Sequence, residues 1–493
     1  MSETHPRLSM QVLEQLPQDV LRPTYDRKKL KAGIVHLGIG AFHRAHQAVY
    51  TDDILQADAQ EWGIIGVSLR SPDTRDALAP QDGLYTITVR SAAHEQVRVI
   101  GSVVQLLVAP ENPQTVMDAL CEPEIKIVSL TITEKGYCYA PATGTLDESH
   151  ADVVHDLQEH NHPRSALGYI VEALRRRRQA GVAPFTVLSC DNLPSNGETL
   201  KRVVTRFAAL RDPELAEYIA AHVAFPSTMV DRIVPATTEA DRSAIVDATG
   251  VVDAWPIMTE AFSQWVVEDH FTNGRPKWEM AGVTFVQDVS AFELMKLRLL
   301  NGSHSTIAYL GYLAGHETVS DVMAAEGFAR FIREMMDEEI SSTLPKLPDF
   351  DLNHYKDQLI ERFRNSSLKH RTWQIAMDGS QKLPQRLLGT IRERLADGQS
   401  IDRLSMGVAG WMRYATGLDE KGAAIDVRDP LVQEIQAHIA GQKTAAELVA
   451  AYCSIEEIFP RDLAGNQIFR ACVEHALQSL LEIGAARSVA QFK

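Results

Sequence analysis

The chain changes texture near residue 288. Before that point, short apolar runs rich in Val, Ile and Thr alternate with helix-like segments; beyond it only helical periodicity continues. Strands separated by helices pair in parallel and are covered on both faces, so the first stretch is constrained to an α/β layered domain. The second can bury its apolar stripes only as packed helices. The expected architecture is an α/β domain over residues 1–287 followed by a mostly α-helical domain over 288–493. A length of 493 residues agrees, being too long for one hydrophobic core.

Residues 1–30 read as a polar lead-in with short helical turns. Then Gly33-Ile34-Val35-His36-Leu37 ends in Gly38-Ile39-Gly40, and a helix-like segment starting at Ala41-Phe42-His43-Arg44 follows as far as about Leu55. Strand, Gly-x-Gly and helix in this order let a pyrophosphate approach the backbone at a helix start. Gly38, Gly40, Phe42, His43 and Arg44 are therefore the candidate cofactor-binding turn of a Rossmann-like domain, although His43 stands where the usual third glycine would fall. A second strand, Ile64 to Leu69, leads to Arg70-Ser71-Pro72-Asp73. Asp73 is placed to accept from the adenosine ribose, whereas Arg70 would welcome a 2′-phosphate; the balance favours NAD over NADP. Further strand-like runs are Tyr85 to Arg90, Val97 to Val103, Ile125 to Thr133 and Phe185 to Cys190. Asn192 lies just beyond the last of these, where ligands of open α/β sheets bind, and a turn or helix N-cap is the competing reading. Asp231 and Arg232 sit in an apolar segment, as an ion pair or as a buried polar site.

The first long helix of the second domain carries Lys296, Asn301 and His304. On a straight helix His304 lies about 80° around from Lys296 and Asn301 about 140° around, so one broad face would hold all three. Lys296 is either an exposed, snorkelling lysine or a partly desolvated amine able to trade protons with an alcohol. It would face the cofactor domain, and an interdomain cleft is where a substrate site is expected.

Other classes are disfavoured. A net charge of −16 disfavours a nucleic-acid binder. No apolar run reaches transmembrane length and the N-terminus lacks a signal-peptide core, so a cytoplasmic location and no membrane partner are expected. The five cysteines form no CxxC pair, which argues against a disulfide framework and a zinc site. The basic run Arg175 to Arg178 is expected to face water at a helix C-terminus. His43 and His46 have metal-like spacing, but the expectation is that they are structural and that no catalytic metal is used.

Five motifs then bear a resemblance: Gly38 to Gln47, Ser129-Leu130-Thr131-Ile132-Thr133-Glu134, Ser189-Cys190-Asp191-Asn192, Met229-Val230-Asp231-Arg232-Ile233, and Met295-Lys296 with Asn301-Gly302-Ser303-His304. Over nearly its whole length the chain resembles the polyol-specific long-chain dehydrogenases, which include mannitol 2-dehydrogenase, D-arabinitol dehydrogenase and fructuronate reductase. The resemblance implies that Lys296 is the general acid/base and that Asn192 and Asn301 flank the reacting oxygen. It implies that His304 and Asp231 serve the substrate and that no metal takes part. Lys369 to Pro384 looks like the fructuronate reductase (D-mannonate oxidoreductase) branch: Gln374 stands where mannitol dehydrogenases carry a substrate-binding arginine. Lys135 and Arg371 are added cations that could meet a carboxylate, Arg371 being preferred for its two-pronged guanidinium. The expectation is NAD-dependent interconversion of D-mannonate and D-fructuronate, with a neutral polyol such as D-mannitol or D-arabinitol as the alternative. A small-molecule sugar acid or polyol is the expected partner, and the protein a monomer or small homo-oligomer.

Overall fold

A computed structural model describes residues 5–57, 61–91, 95–140, 144–347 and 350–492; the first residues of the lead-in lie outside this set. The chain divides into two compact units, Met1–Ser290 and Ala291–Lys493.

The first unit holds thirteen strands among its described residues: β1 (Ala32–Leu37), β2 (Gly63–Ser68), β3 (Tyr85–Arg90), β4 (Glu95–Ile100), β5 (Val103–Val108), β6 (Ile127–Leu130), β7 (Tyr139–Ala140), β8 (Thr145–Leu146), β9 (Thr186–Ser189), β10 (Thr228–Asp231), β11 (Ile257–Glu260), β12 (Gln264–Glu268) and β13 (Thr284–Val286). Five of them make an all-parallel sheet in the order β5-β2-β1-β6-β9. The chain moves outward from central β1 to one side and then to the other, so the carboxyl ends beside β1 form a topological switch point. β1, β2, β6 and β9 are almost wholly buried because they read Val/Ile-rich and carry helices on their faces, whereas edge strand β5 is only partly buried. Smaller sheets, β11-β3-β4 and β10-β12-β13, pack beside it.

Four local expectations needed correction. The run Val97 to Val103 is not one strand: it breaks at Gly101-Ser102 into β4 and β5, which enter different sheets. The helix after Gly40 is split at His46, which has φ −123° and ψ −90°, into Ala41–Ala45 and Gln47–Leu55. The basic run does not all face water: Arg177 is 1% exposed and donates to the carbonyls of Leu120, Glu122, Ile125 and Ala183. Arg175 and Arg176 bind the buried carboxylate of Glu172 instead. The lead-in is also less polar in effect than in composition, since Leu8, Leu13, Leu16 and Val20 pack against Leu84, Val99 and Val251.

Among its described residues the second unit is helical. Its first long helix is continuous from Ser290 to Leu313, but Lys296–Gly302 is a π-helix set between α-helical Ser290–Met295 and Ser303–Leu313. A second π-turn, Pro384–Leu388, packs against it. Gly302 permits the approach: a Cβ there would stand 2.9 Å from the carbonyl oxygen of Arg386. Among the described residues no helix is long and apolar enough to cross a membrane.

Candidate active site

In the first unit, β1 runs directly into the Gly38-Ile39-Gly40 turn. Gly38 has φ +93°, and a Cβ on it would collide with the carbonyl of Thr131, so a side chain is excluded twice over. A Cβ on Gly40 would meet nothing nearer than Gly38 O at 3.8 Å, which leaves the backbone open to a ligand. At the carboxyl ends of β1, β2 and β6 opens a cleft of about 520 Å³, with Gly38, Gly40, Arg70, Thr131, Thr133 and Lys135 in its wall. That volume suits a small ligand or cofactor fragment. Lys135, expected at the substrate, thus shares a wall with the glycine turn.

The other expected cofactor residues, Phe42, His43, Arg44 and Asp73, do not line this cleft. Arg44 is 1% exposed; its guanidinium donates to Trp255 O at 2.8 Å and lies over the rings of Tyr85 and Trp255. Phe42 stacks on His46 at 5.0 Å, and His46 Nε2 pairs with Gln264 O at 2.9 Å. His43 stacks on His36 with centroids 3.4 Å apart. Burial pushes His36 down to about 3 and, with His36 beside it, holds His43 well below the usual imidazole range. Both rings are neutral at pH 7. Asp73 is exposed, its carboxylate accepting from Ser71 Oγ at 2.9 Å, while Arg70 and Ser71 line the cleft.

His36 was missed in the sequence, yet it anchors the cleft. Its nitrogens pair with Ser129 Oγ and Thr131 Oγ1, each at 2.8 Å, and Thr131 Oγ1 in turn donates to Gly38 O at 2.8 Å. The signal was period-2 spacing: Ser129 and Thr131 share a strand face, and Ser129 is in register with His36. Asn192 is exposed on the turn after β9. Asp231 ends β10 and is 5% exposed. Arg232 reaches main-chain carbonyls, Ala45 O at 2.6 Å and Glu260 O at 3.1 Å.

In the second unit the π-turn changes the straight-helix expectation. Bonds from i to i+5 take about one more residue per turn than an α-helix. Asn301, five residues beyond Lys296, then falls roughly 30–50° around from it rather than about 140°. Lys296 is 9% exposed. His304 stacks on Phe363 at 5.5 Å and meets His370 edge-on at 4.7 Å. Burial first, then His370 and the charges of Arg386, Arg362 and Lys382, hold the His304 imidazole well below its usual range. Arg386 Nη1 donates to Ser305 Oγ at 3.0 Å, and Lys382 Nζ to Ile375 O at 3.2 Å and Met377 O at 2.5 Å. Arg371 and Gln374 are exposed; Arg371 is the N-cap of helix Thr372–Ala376. Among the described residues no three His, Cys, Asp or Glu side chains converge as a metal site.

A parallel sheet wound about a glycine turn, joined to a helical unit with a buried lysine on a π-turn, defines a Rossmann-type oxidoreductase. Residues 32–280 match the mannitol dehydrogenase Rossmann domain and 288–481 the mannitol dehydrogenase C-terminal domain, so the chain belongs to the mannitol dehydrogenase family. It is 50% identical to an uncharacterized oxidoreductase of Escherichia coli K12 over 96% of this chain and 97% of that one. It is 48% identical to the D-mannonate oxidoreductase of the same organism, covering 96% and 98%. The structure of Pseudomonas fluorescens mannitol 2-dehydrogenase, a ternary complex with NAD and D-mannitol, matches with a TM-score of 0.86, 40% identity and 98% coverage of both chains.

Proposed function

We propose that this protein is a NAD-dependent oxidoreductase that interconverts D-mannonate and D-fructuronate. The observation that carries the reading is the cationic surround of His304: Arg386, which donates to Ser305 Oγ at 3.0 Å on the same helix, together with Arg362 and Lys382. A buried carboxylate needs such a surround, and a neutral polyol does not. The 48% identity to a D-mannonate oxidoreductase supports the same choice.

The glycine turn and the cleft beside it fit a dinucleotide, with Gly38 and Gly40 against the pyrophosphate and Arg70 and Ser71 at the adenosine end. When bound, the nicotinamide supplies or accepts the hydride. The protein moves the proton. Lys296 as a neutral amine takes it from the hydroxyl during oxidation and returns it as ammonium during reduction. The carboxamides of Asn301 and Asn192 donate to the oxygen as charge develops on it. His304, held neutral, donates to or accepts from a substrate hydroxyl without adding charge. Asp231 serves a further hydroxyl.

The second reading, a neutral-polyol dehydrogenase, is favoured by the likeness to a mannitol 2-dehydrogenase. Steady-state turnover of D-mannonate and D-mannitol with NAD and with NADP separates the two. A higher kcat/KM on mannonate with NAD is expected; a preference for mannitol overturns the substrate, and one for NADP the cofactor.

A further inference from the structure

Thr133 has φ +62° and ψ 165°, a backbone region that β-branched residues avoid and glycine occupies freely. Its side chain is exposed, so packing of that side chain does not hold it there. What holds the segment is Asp191. Its carboxylate accepts from Ile132 N at 2.8 Å, from Thr133 N at 3.1 Å and from Tyr137 Oη at 2.8 Å. Tyr137 Oη is fixed in turn by Ser189 Oγ at 2.5 Å. The arrangement follows from the sheet: β6 and β9 are parallel neighbours with Leu130 opposite Ser189, so the turns leaving their carboxyl ends abut. One of those turns, Thr131 to Gly136, is a wall of the cleft beside Gly38. The other carries Asn192 directly after Asp191.

We propose that Asp191 is a positioning residue: its carboxylate clamps the strained Ile132–Thr133 backbone into the shape that receives the dinucleotide and fixes the turn from which Asn192 projects. This rests on the dinucleotide reading above. Without the clamp Thr133 leaves its unfavourable conformation and the wall loses its shape; a glycine at 133 removes the need for the clamp.

NADH binding, titrated by its fluorescence, tests this without any substrate. Asp191→Ala is expected to weaken NADH binding by at least about tenfold, as loss of charge-assisted hydrogen bonds does. With Thr133→Gly taken as its own reference, adding Asp191→Ala is expected to cost NADH binding much less than Asp191→Ala costs wild type. Should Asp191→Ala not fold, Asp191→Asn with and without Thr133→Gly makes the same comparison, since the amide keeps an acceptor oxygen but not a second one. A purely structural role would lower the Tm with no rescue by glycine. Equal NADH affinity in wild type and the Asp191 variants, or the same cost of Asp191→Ala with and without Thr133→Gly, overturns the clamp and leaves the dinucleotide reading standing. No NADH binding by wild type overturns both.

Discussion

Lys296 is 9% exposed on a turn that brings Asn301 nearer to its side of the helix, which suits the proton transfer proposed for it. Lys296→Ala should lower turnover by at least about 10² while NADH affinity stays near wild type, measured by steady-state kinetics and fluorescence titration. Near-normal turnover would remove Lys296 from the mechanism. The carboxylate partner is a contest between two arginines. Arg371 was the residue the sequence favoured, but it is exposed at a helix N-cap, whereas Arg386 bears on His304 and donates to Ser305. Arg386→Gln should raise the KM for mannonate about ten- to a hundredfold, the cost of one charge-assisted contact, and leave any mannitol activity unchanged. Arg371→Gln should change little. The reverse pattern would restore Arg371, and equal effects on both substrates would make Arg386 structural.

At the scale of elements, the residue types announced what each segment is, and the turns decided what it does. β3 runs from Tyr85 to Arg90, as its unbroken run of β-branched residues implies, and the continuous apolar runs around Ile127 and Val187 became buried parallel strands. The glycine turn was legible because Gly38 and Gly40 are the residues such a turn demands. The burial of Arg44 was not, because a guanidinium that binds a carbonyl and two rings looks in sequence like any other arginine. Nor was the π-turn: Leu297, Leu299 and Leu300 suit either helix, and tertiary packing chose between them. Gly302 shows that choice. A Cβ 2.9 Å from Arg386 O would force the two π-turns apart, so Gly302→Ala should destabilise the protein by about 1–3 kcal/mol, read as a lower Tm, and reduce turnover as well. An unchanged Tm with wild-type kinetics would mean that the neighbouring turn yields at no cost.

For the whole molecule the buried histidines set the acid limit. Burial holds His36 at about 3, and His43 and His304 well below the usual value. In the unfolded chain each takes a proton below about pH 6.5, which the folded protein refuses. Stability is therefore full above that pH and falls as the pH drops toward the folded values, by up to about 1.4 kcal/mol per pH unit for each histidine. Chemical denaturation between pH 7 and 5 checks this; a flat profile would mean that the rings protonate in place. The site's dependence on its surroundings has a further consequence. A free peptide spanning Phe292 to Leu313 would have neither the Arg386 turn nor any other packing to favour i→i+5 bonds, and would relax to an ordinary α-helix or to coil. Lys296 and Asn301 would then part company around the helix, so a graft of this segment onto another helical scaffold would carry every side chain across and leave their alignment behind.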